Sequence, residues 1–150
     1  MHIIFRQHDQ FFSVEDNFVE MFMLSKHYYT ISIVPDFING FENIKGDIYP
    51  IISIFGIVNK EPQKESPLYL LKLKEPYNML LYSTVKPNLI EILENTPKVE
   101  MQANLKGVCN FAFRMGNDTI YNLNLNKIEN SLIDYQKYNM NGDAYDKKSI

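Results

Sequence analysis

Apolar and polar residues alternate along most of the stretch from Val99 to Leu125. The alternating apolar positions are Val99, Met101, Ala103 and Leu105, then Phe111, Phe113 and Met115, then Tyr121, Leu123 and Leu125. Successive side chains of a strand point to opposite faces, so this period predicts strands with one buried and one wet side. Gly116-Asn117-Asp118 tolerates positive φ and predicts a hairpin turn between Phe111 and Leu125. We therefore expect the fold to be organised around this hairpin.

Three other segments have features typical of helices. Ser13 followed by Asp16 resembles a capping box in front of apolar residues at helical spacing, which predicts a helix ending near Lys26. Pro87 suits the first position of a second helix. Asn126 is the expected cap of a third helix.

The remaining apolar segments predict strands, and turn residues separate them. The predicted strands cover residues 2–5, 28–38, 48–58, 68–73 and 79–85. Asn39-Gly40 and Lys45-Gly46-Asp47 are turn signals, and Gly56 indicates a bulge or a close backbone approach.

The order of the predicted strands and helices along the chain predicts the α+β class: one domain with a mainly antiparallel sheet and about three helices packed on it. A partly closed β-barrel with peripheral helices is the alternative. The expected domain covers residues 1–138, and the polar residues 139–150 are expected to form a flexible tail.

The length and the single cysteine restrict the class of protein further. A chain of 150 residues suits one hydrophobic core. Cys109 has no second cysteine to pair with, so we expect it to be a small buried residue. The amino terminus lacks the pattern of a signal peptide, and no run approaches the ~20 apolar residues of a membrane span. We expect a cytoplasmic protein.

The acidic residues are concentrated in the first third of the chain. The net charge is -3, and the first fifty residues contain seven acidic and three basic side chains. With two arginines and no basic stripe, nucleic acid is not favoured as a partner. An acidic surface suits a basic protein partner instead. The predicted partner-binding residues are Asp9, Glu15, Asp16, Glu20 and Asp47, with the middle three on the exposed side of the first helix.

The sequence also allows two alternatives to an acidic binding surface. Glu15, Asp16 and Glu20 can simply keep the predicted helix soluble, as part of an ordinary solvated surface. No nucleophile, phosphate-loop or metal motif is present, so no metal or cofactor is expected. His8 followed by Asp9 is the one adjacent imidazole–carboxylate pair, and a hydrolase that uses it requires a cleft around residues 2–10.

The sequence therefore predicts a non-enzymatic module that binds a protein. Within that class we favour an inhibitor or immunity/antitoxin-type protein that blocks a basic partner. The alternative is a nucleic-acid or small-ligand binding domain that stacks bases on exposed aromatic residues. That alternative requires Tyr69, Tyr82, Tyr121 or Phe113 to be exposed on a sheet face beside Lys72, Lys74, Lys106 or Arg114.

Overall fold

A computed structural model of the chain describes residues 1–25, 35–60 and 69–133. These residues form eleven strands and two α-helices. The strands are β1 (His2–Gln7), β2 (Gln10–Glu15), β3 (Val19–Leu24), β4 (Ile38–Ile44), β5 (Asp47–Ile52), β6 (Tyr69–Leu73), β7 (Leu80–Ser83), β8 (Asn88–Ile90), β9 (Lys98–Val99), β10 (Cys109–Met115) and β11 (Asp118–Leu123). The helices are α1 (Ile54–Asn59) and α2 (residues 125–133), and short 3₁₀ turns lie at Asp16–Phe18 and Ala103–Leu105.

The described strands form two sheets. The first has the order β8-β1-β2-β11-β10-β9, and the second has the order β3-β6-β7-β5-β4. Both sheets are mixed, because β2 pairs in parallel with β11 and β5 pairs in parallel with β7, while the other pairings are antiparallel. The second sheet is built from five consecutive strands, β3 to β7, whereas the first sheet combines β1 and β2 with β8 to β11.

The predicted hairpin is confirmed. β10 and β11 pair antiparallel, and Met115 lies opposite Asp118 at the turn. Gly116 adopts a φ of 61°, which glycine reaches without a Cβ clash. Lys45 and Gly46 form the predicted turn between β4 and β5, with φ values of 54° and 91°. These two positive values suit the twist of a tight hairpin.

The largest hydrophobic cluster contains residues of both sheets. Phe5, Phe12 and Tyr121 of the first sheet belong to it together with Leu71 and Leu81 of the second. On the other face of each sheet, side chains form a smaller hydrophobic cluster. Parts of both sheets are therefore buried on both faces. The completely buried Leu70 and Leu71 are adjacent in β6, so the usual apolar–polar alternation is lost there.

Gln7 joins the two sheets through its buried side chain. Its Nε2 donates to the carbonyl oxygens of Ile52 and Tyr82, each at 3.1 Å. Its Oε1 accepts from the backbone N–H of Ile54 at 2.8 Å. The turn between β1 and β2 is limited to His8 and Asp9, because Gln7 belongs to β1 and Gln10 begins β2.

The predicted α+β class is wrong: the described chain is mostly β, with two sheets and two α-helices. The alternative of one partly closed barrel is also not observed, since the strands divide between two sheets. The expected first helix is instead β2, a 3₁₀ turn and β3. β2 pairs with β1 and β11, and these tertiary contacts override the helical spacing.

Two further local predictions are wrong. Asn88–Ile90, expected in the second helix, is the short strand β8, which pairs with β1. The predicted turn at Asn39-Gly40 is a register shift within β4.

The predicted strand over residues 48–58 is confirmed only in its first part. The chain turns into α1 after β5, because the Ser53 hydroxyl caps that helix by accepting from Gly56 N–H at 3.1 Å.

The last predicted helix is confirmed, with its cap two residues earlier than expected. The side-chain oxygen of Asn124 accepts from Lys127 N–H at 3.0 Å, and helical residues extend from 125 to 133. The expected tail at residues 139–150 and residues 28–34 of the expected strand at 28–38 lie outside the described residues.

Candidate protein-binding surfaces

Glu15 and Asp16 lie together at one end of the first sheet. Glu15 is opposite His2 in the pairing of β1 and β2. The Asp16 carboxylate lies 3.7 Å from the amino-terminal nitrogen of Met1, and its backbone N–H donates to the Met1 carbonyl at 3.1 Å. Burial lowers the pKa of His2, partly opposed by the charge of Glu15. These two acids therefore face the chain's own amino terminus.

Glu20 and Asp47 belong to the second sheet. Glu20 forms an ion pair with Lys72 across the β3–β6 pairing. Their hydrogen bond is the main reason that the pKa of Glu20 is lowered and that of Lys72 is raised. The Lys72 ammonium also lies 4.8 Å from the centre of the Tyr49 ring. Asp47 is the first residue of β5, directly after the Lys45-Gly46 turn.

Asp9 is separated from all of these acids. It lies in the β1–β2 turn, at the opposite end of two six-residue strands from Asp16. Strands of that length span about 17 Å at ~3.4 Å per residue. The five predicted residues are therefore divided between both ends of the first sheet and the second sheet, and they do not share one helix face. The Asp9 side chain is 74% accessible, compared with 45% for Asp16 and 51% for Glu20.

The edge strand β3 exposes three large apolar side chains. Met21, Phe22 and Leu24 are 40%, 49% and 59% exposed. Among the described strands β3 pairs only with β6, where Phe22 lies opposite Leu71 and Leu24 opposite Tyr69. This strand therefore combines exposed apolar surface with the backbone of a sheet edge.

A polar groove of two adjoining lobes lies at the β1–β2 turn. The first lobe, about 280 Å³, is bounded by the turn, α1 and residues 102–105. The second lobe, also about 280 Å³, lies between the turn and the tip of the β10–β11 hairpin. Asp9, Gln10 and Gln102 line both lobes and join them into one groove.

The His8 ring helps to fix the shape of the first lobe. His8 has a φ of 56°, and its ring centre lies 4.8 Å from that of Phe55 in α1. The Gln7 side chain holds the start of the same helix through Ile54. The turn and the helix are therefore anchored to each other on both sides of the groove.

A cleft near His8, which the hydrolase hypothesis requires, is present. His8 Nε2 lies 3.6 Å from the Asp9 carboxylate. Among the described residues that line the two lobes there is neither serine nor cysteine. The described chain also contains no group of three or more His, Cys, Asp or Glu residues placed to hold a metal.

The stacking platform required by the nucleic-acid hypothesis does not form. Tyr82, Phe113 and Tyr121 are buried, and only Tyr69 is partly accessible. Burial also raises the pKa of Tyr121. Three of the four proposed aromatic residues are thus part of hydrophobic clusters.

Cys109 is buried as expected, and burial raises the pKa of its thiol to about 12. Within the described residues, no helix is long and apolar enough to cross a membrane.

The sequence pattern missed most of the groove. Gln102 and Asn104 lie in a segment predicted as a strand, and they reach the groove through the 3₁₀ turn at Ala103–Leu105. Met21 and Phe22 of β3 were predicted to lie on the apolar side of a helix, so their exposure was not predicted. Of the groove residues, His8, Asp9 and Tyr121 were proposed from the sequence as functional residues.

Comparison with known proteins identifies the fold. No family model and no curated sequence matches the chain. Among solved structures, the chain is similar to the crystal structure of the scaffolding protein TtCheW from Thermoanaerobacter tengcongensis. The TM-score is 0.64 at 15% sequence identity, covering 82% of this chain and 87% of that chain. At this identity the likeness shows a shared fold.

Proposed function

We propose that the chain is a protein-binding module of the scaffolding type, and that β3 is its principal contact strand. The observation that carries the proposal is the exposure of Met21, Phe22 and Leu24 on an edge strand. Adjacent exposed apolar residues are typical of interaction sites, and an edge strand adds hydrogen-bonding groups that an extended partner segment can use.

The residues behind β3 are suited to a stable contact surface. Its pairing partner Leu71 is completely buried, so the strand rests on a packed sheet. Glu20 of β3 and Lys72 of the neighbouring β6 neutralise each other. A partner that covers β3 therefore buries apolar side chains beside an ion pair that is already satisfied, which lowers the desolvation cost.

The shared fold supports this proposal. TtCheW is described as a scaffolding protein, and most of its chain superimposes on this one. A scaffold requires binding surfaces and no reacting groups, which suits a β-rich domain with an apolar edge.

The hypothesis of an inhibitor or immunity-type protein remains a narrower proposal within the same class. It requires a basic partner bound through Asp9, Glu15, Asp16, Glu20 and Asp47. Replacing Glu15, Asp16 and Glu20 together by Lys should then weaken binding strongly, and the loss should shrink as salt is raised. Unchanged affinity would remove the acidic surface from the interface.

Site-specific photo-crosslinking tests the role of β3. A benzoylphenylalanine at Phe22 should crosslink one partner protein in the source cell. The matched control is the same group at Leu89, which is 55% exposed on the edge strand β8 of the other sheet. We expect no crosslink from Leu89. Crosslinking from Leu89 alone, or from neither position, would contradict the assignment of β3.

A further inference from the structure

We infer that the two-lobed groove at the β1–β2 turn is a second binding site, which accepts an extended protein segment carrying arginine or lysine. The site is distinct from the proposed β3 surface, since no residue of β3 lines either lobe. A chain with both sites can hold two partners at once.

The charge of the groove selects a cationic segment. Asp9 lines both lobes, and Asp118 lines the second. Among the described residues that line the groove there is no lysine and no arginine. A cationic side chain placed in the second lobe therefore meets the carboxylates of Asp9 and Asp118 and neither lysine nor arginine, whereas in the first lobe the Asp9 carboxylate already has the His8 imidazole 3.6 Å away.

The amide side chains favour an extended main chain. Gln10 and Gln102 lie where the lobes join, and Asn104 and Asn117 line one lobe each. A carboxamide both donates and accepts hydrogen bonds, so it can pair with the N–H and C=O groups of a peptide without regard to sequence. The groove thus offers main-chain contacts at its centre and charge contacts in its lobes.

Each lobe also has an apolar side for the aliphatic stem of a long cationic side chain. The half-buried Phe55 and Val58 line the first lobe, and the half-buried Phe11 lines the second. Lysine and arginine bury their methylene groups against such surfaces while the charged end stays near water.

The groove is preformed by contacts that exist without a partner. Gln7 bonds to the start of α1, and His8 packs on Phe55. The opposite wall is the β10–β11 hairpin, whose β11 pairs with β2. Because the walls are already ordered, binding does not have to supply the cost of ordering them.

The test is a titration of the isotope-labelled chain, followed by amide chemical shifts. The probe is a short peptide of alternating arginine and serine, with a peptide of alternating glutamate and serine as its counterpart. We expect the arginine peptide to shift the amides of residues 8–10, 102–105 and 117–119 in a saturable way. The glutamate peptide should leave them unchanged.

Charge-reversal variants separate this site from general attraction to an acidic protein. The double variant Asp9→Lys, Asp118→Lys should weaken the arginine peptide about tenfold or more, as expected when two exposed attractions become repulsions. The matched control, Glu91→Lys with Glu94→Lys, changes two exposed acids outside the groove by the same charge. It should change the affinity by about twofold at most.

Three outcomes would overturn the inference: shifts that do not saturate, shifts centred on β3, or equal weakening in both double variants. The milder pair Asp9→Asn, Asp118→Asn keeps the experiment decisive if the lysine variant fails to fold, and it should still weaken binding. If position 22 gives no crosslink but the arginine peptide still shifts the groove amides, only the proposed role of β3 is refuted and the groove inference stands.

Discussion

Replacing Gln7 by Leu should destabilise the protein more than a change at any comparable polar residue of the sheets. Leucine has a similar size and fits an apolar site, but it cannot bond to the backbone groups that Gln7 satisfies. Those groups are the carbonyl oxygens of Ile52 and Tyr82 and the N–H of Ile54, all at 2.8 to 3.1 Å. Gln7 is only 1% exposed, so water does not replace the lost partners.

The expected loss follows from the number of broken bonds. A buried N–H without an acceptor costs about 1–3 kcal/mol, and each carbonyl loses a bond worth about 0.5–1.5 kcal/mol. The apolar side chain of leucine offsets about 1 kcal/mol of this loss. The free energy of unfolding should therefore fall by about 3 kcal/mol, a large part of the ~5–15 kcal/mol of a typical domain.

Urea unfolding at 25 °C measures this change, with the denaturant slope held constant between variants. Gln10→Leu is the matched control, because Gln10 lies opposite Gln7 in the strand pairing but is only partly buried. It should cost less than about 1 kcal/mol. A loss below about 1 kcal/mol for Gln7→Leu, or equal losses for the two variants, would refute the role of Gln7 in joining the sheets.

Two further stability changes test the packing around α1 and β10. Gly56→Ala should destabilise the protein by about 1–3 kcal/mol, because the added Cβ would lie 2.1 Å from the Asp36 carbonyl oxygen. In a helix with free space, the same substitution usually stabilises by ~1 kcal/mol. Gly107→Ala, with nothing within 4 Å of its Cβ, should be neutral in the same urea assay. The Cys109 thiol has its pKa raised from 9.0 to about 12, so the unfolded chain loses this proton first as the pH rises. Relative to Cys109→Ala, the free energy of unfolding of the wild type should therefore fall by up to about 1.4 kcal/mol per pH unit above pH ~9. If the difference in this free energy between the two proteins is the same at about pH 8 and at about pH 10, the prediction is wrong.

Local sequence patterns predicted the parts of the fold that depend on local chemistry. The β10–β11 hairpin follows from period-two alternation and from Gly116 at a positive φ. Gly56 was predicted to mark a bulge or a close approach, and the backbone of Asp36 does lie against it. α2 follows from helical spacing, although its cap is Asn124 and not Asn126.

The first helix was predicted wrongly because two short strands in sequence mimic one helix. Val14 and Val19 are both buried in the main core, five positions apart. The 3₁₀ turn between them and the register shift after Val19 change the phase of the alternation. Besides the neighbouring β1, the strand state of this segment is set by β6 and β11, which are distant in sequence and leave no local signal.

The candidate surfaces depend on the same distant pairings. Asp9 was predicted as a partner-binding residue, and it lines the groove. Asn117 was interpreted as part of a hairpin turn, and the parallel pairing of β2 with β11 brings it to the same lobe as Gln10. Phe22 is exposed on β3, which lies at the edge of its sheet among the described strands. The groove, by contrast, cannot be assembled from one segment alone.

Affinity capture from the source cell, at low and at high salt, tests most directly whether β3 makes this chain a protein-binding module. The wild type should retain one protein in stoichiometric amount at both salt concentrations, because apolar contacts are not screened. Phe22→Ser with Leu24→Ser should release that protein, whereas Leu89→Ser should retain it. If the wild type retains no protein, or if the β3 variant retains it as well as the wild type does, the proposed function is wrong.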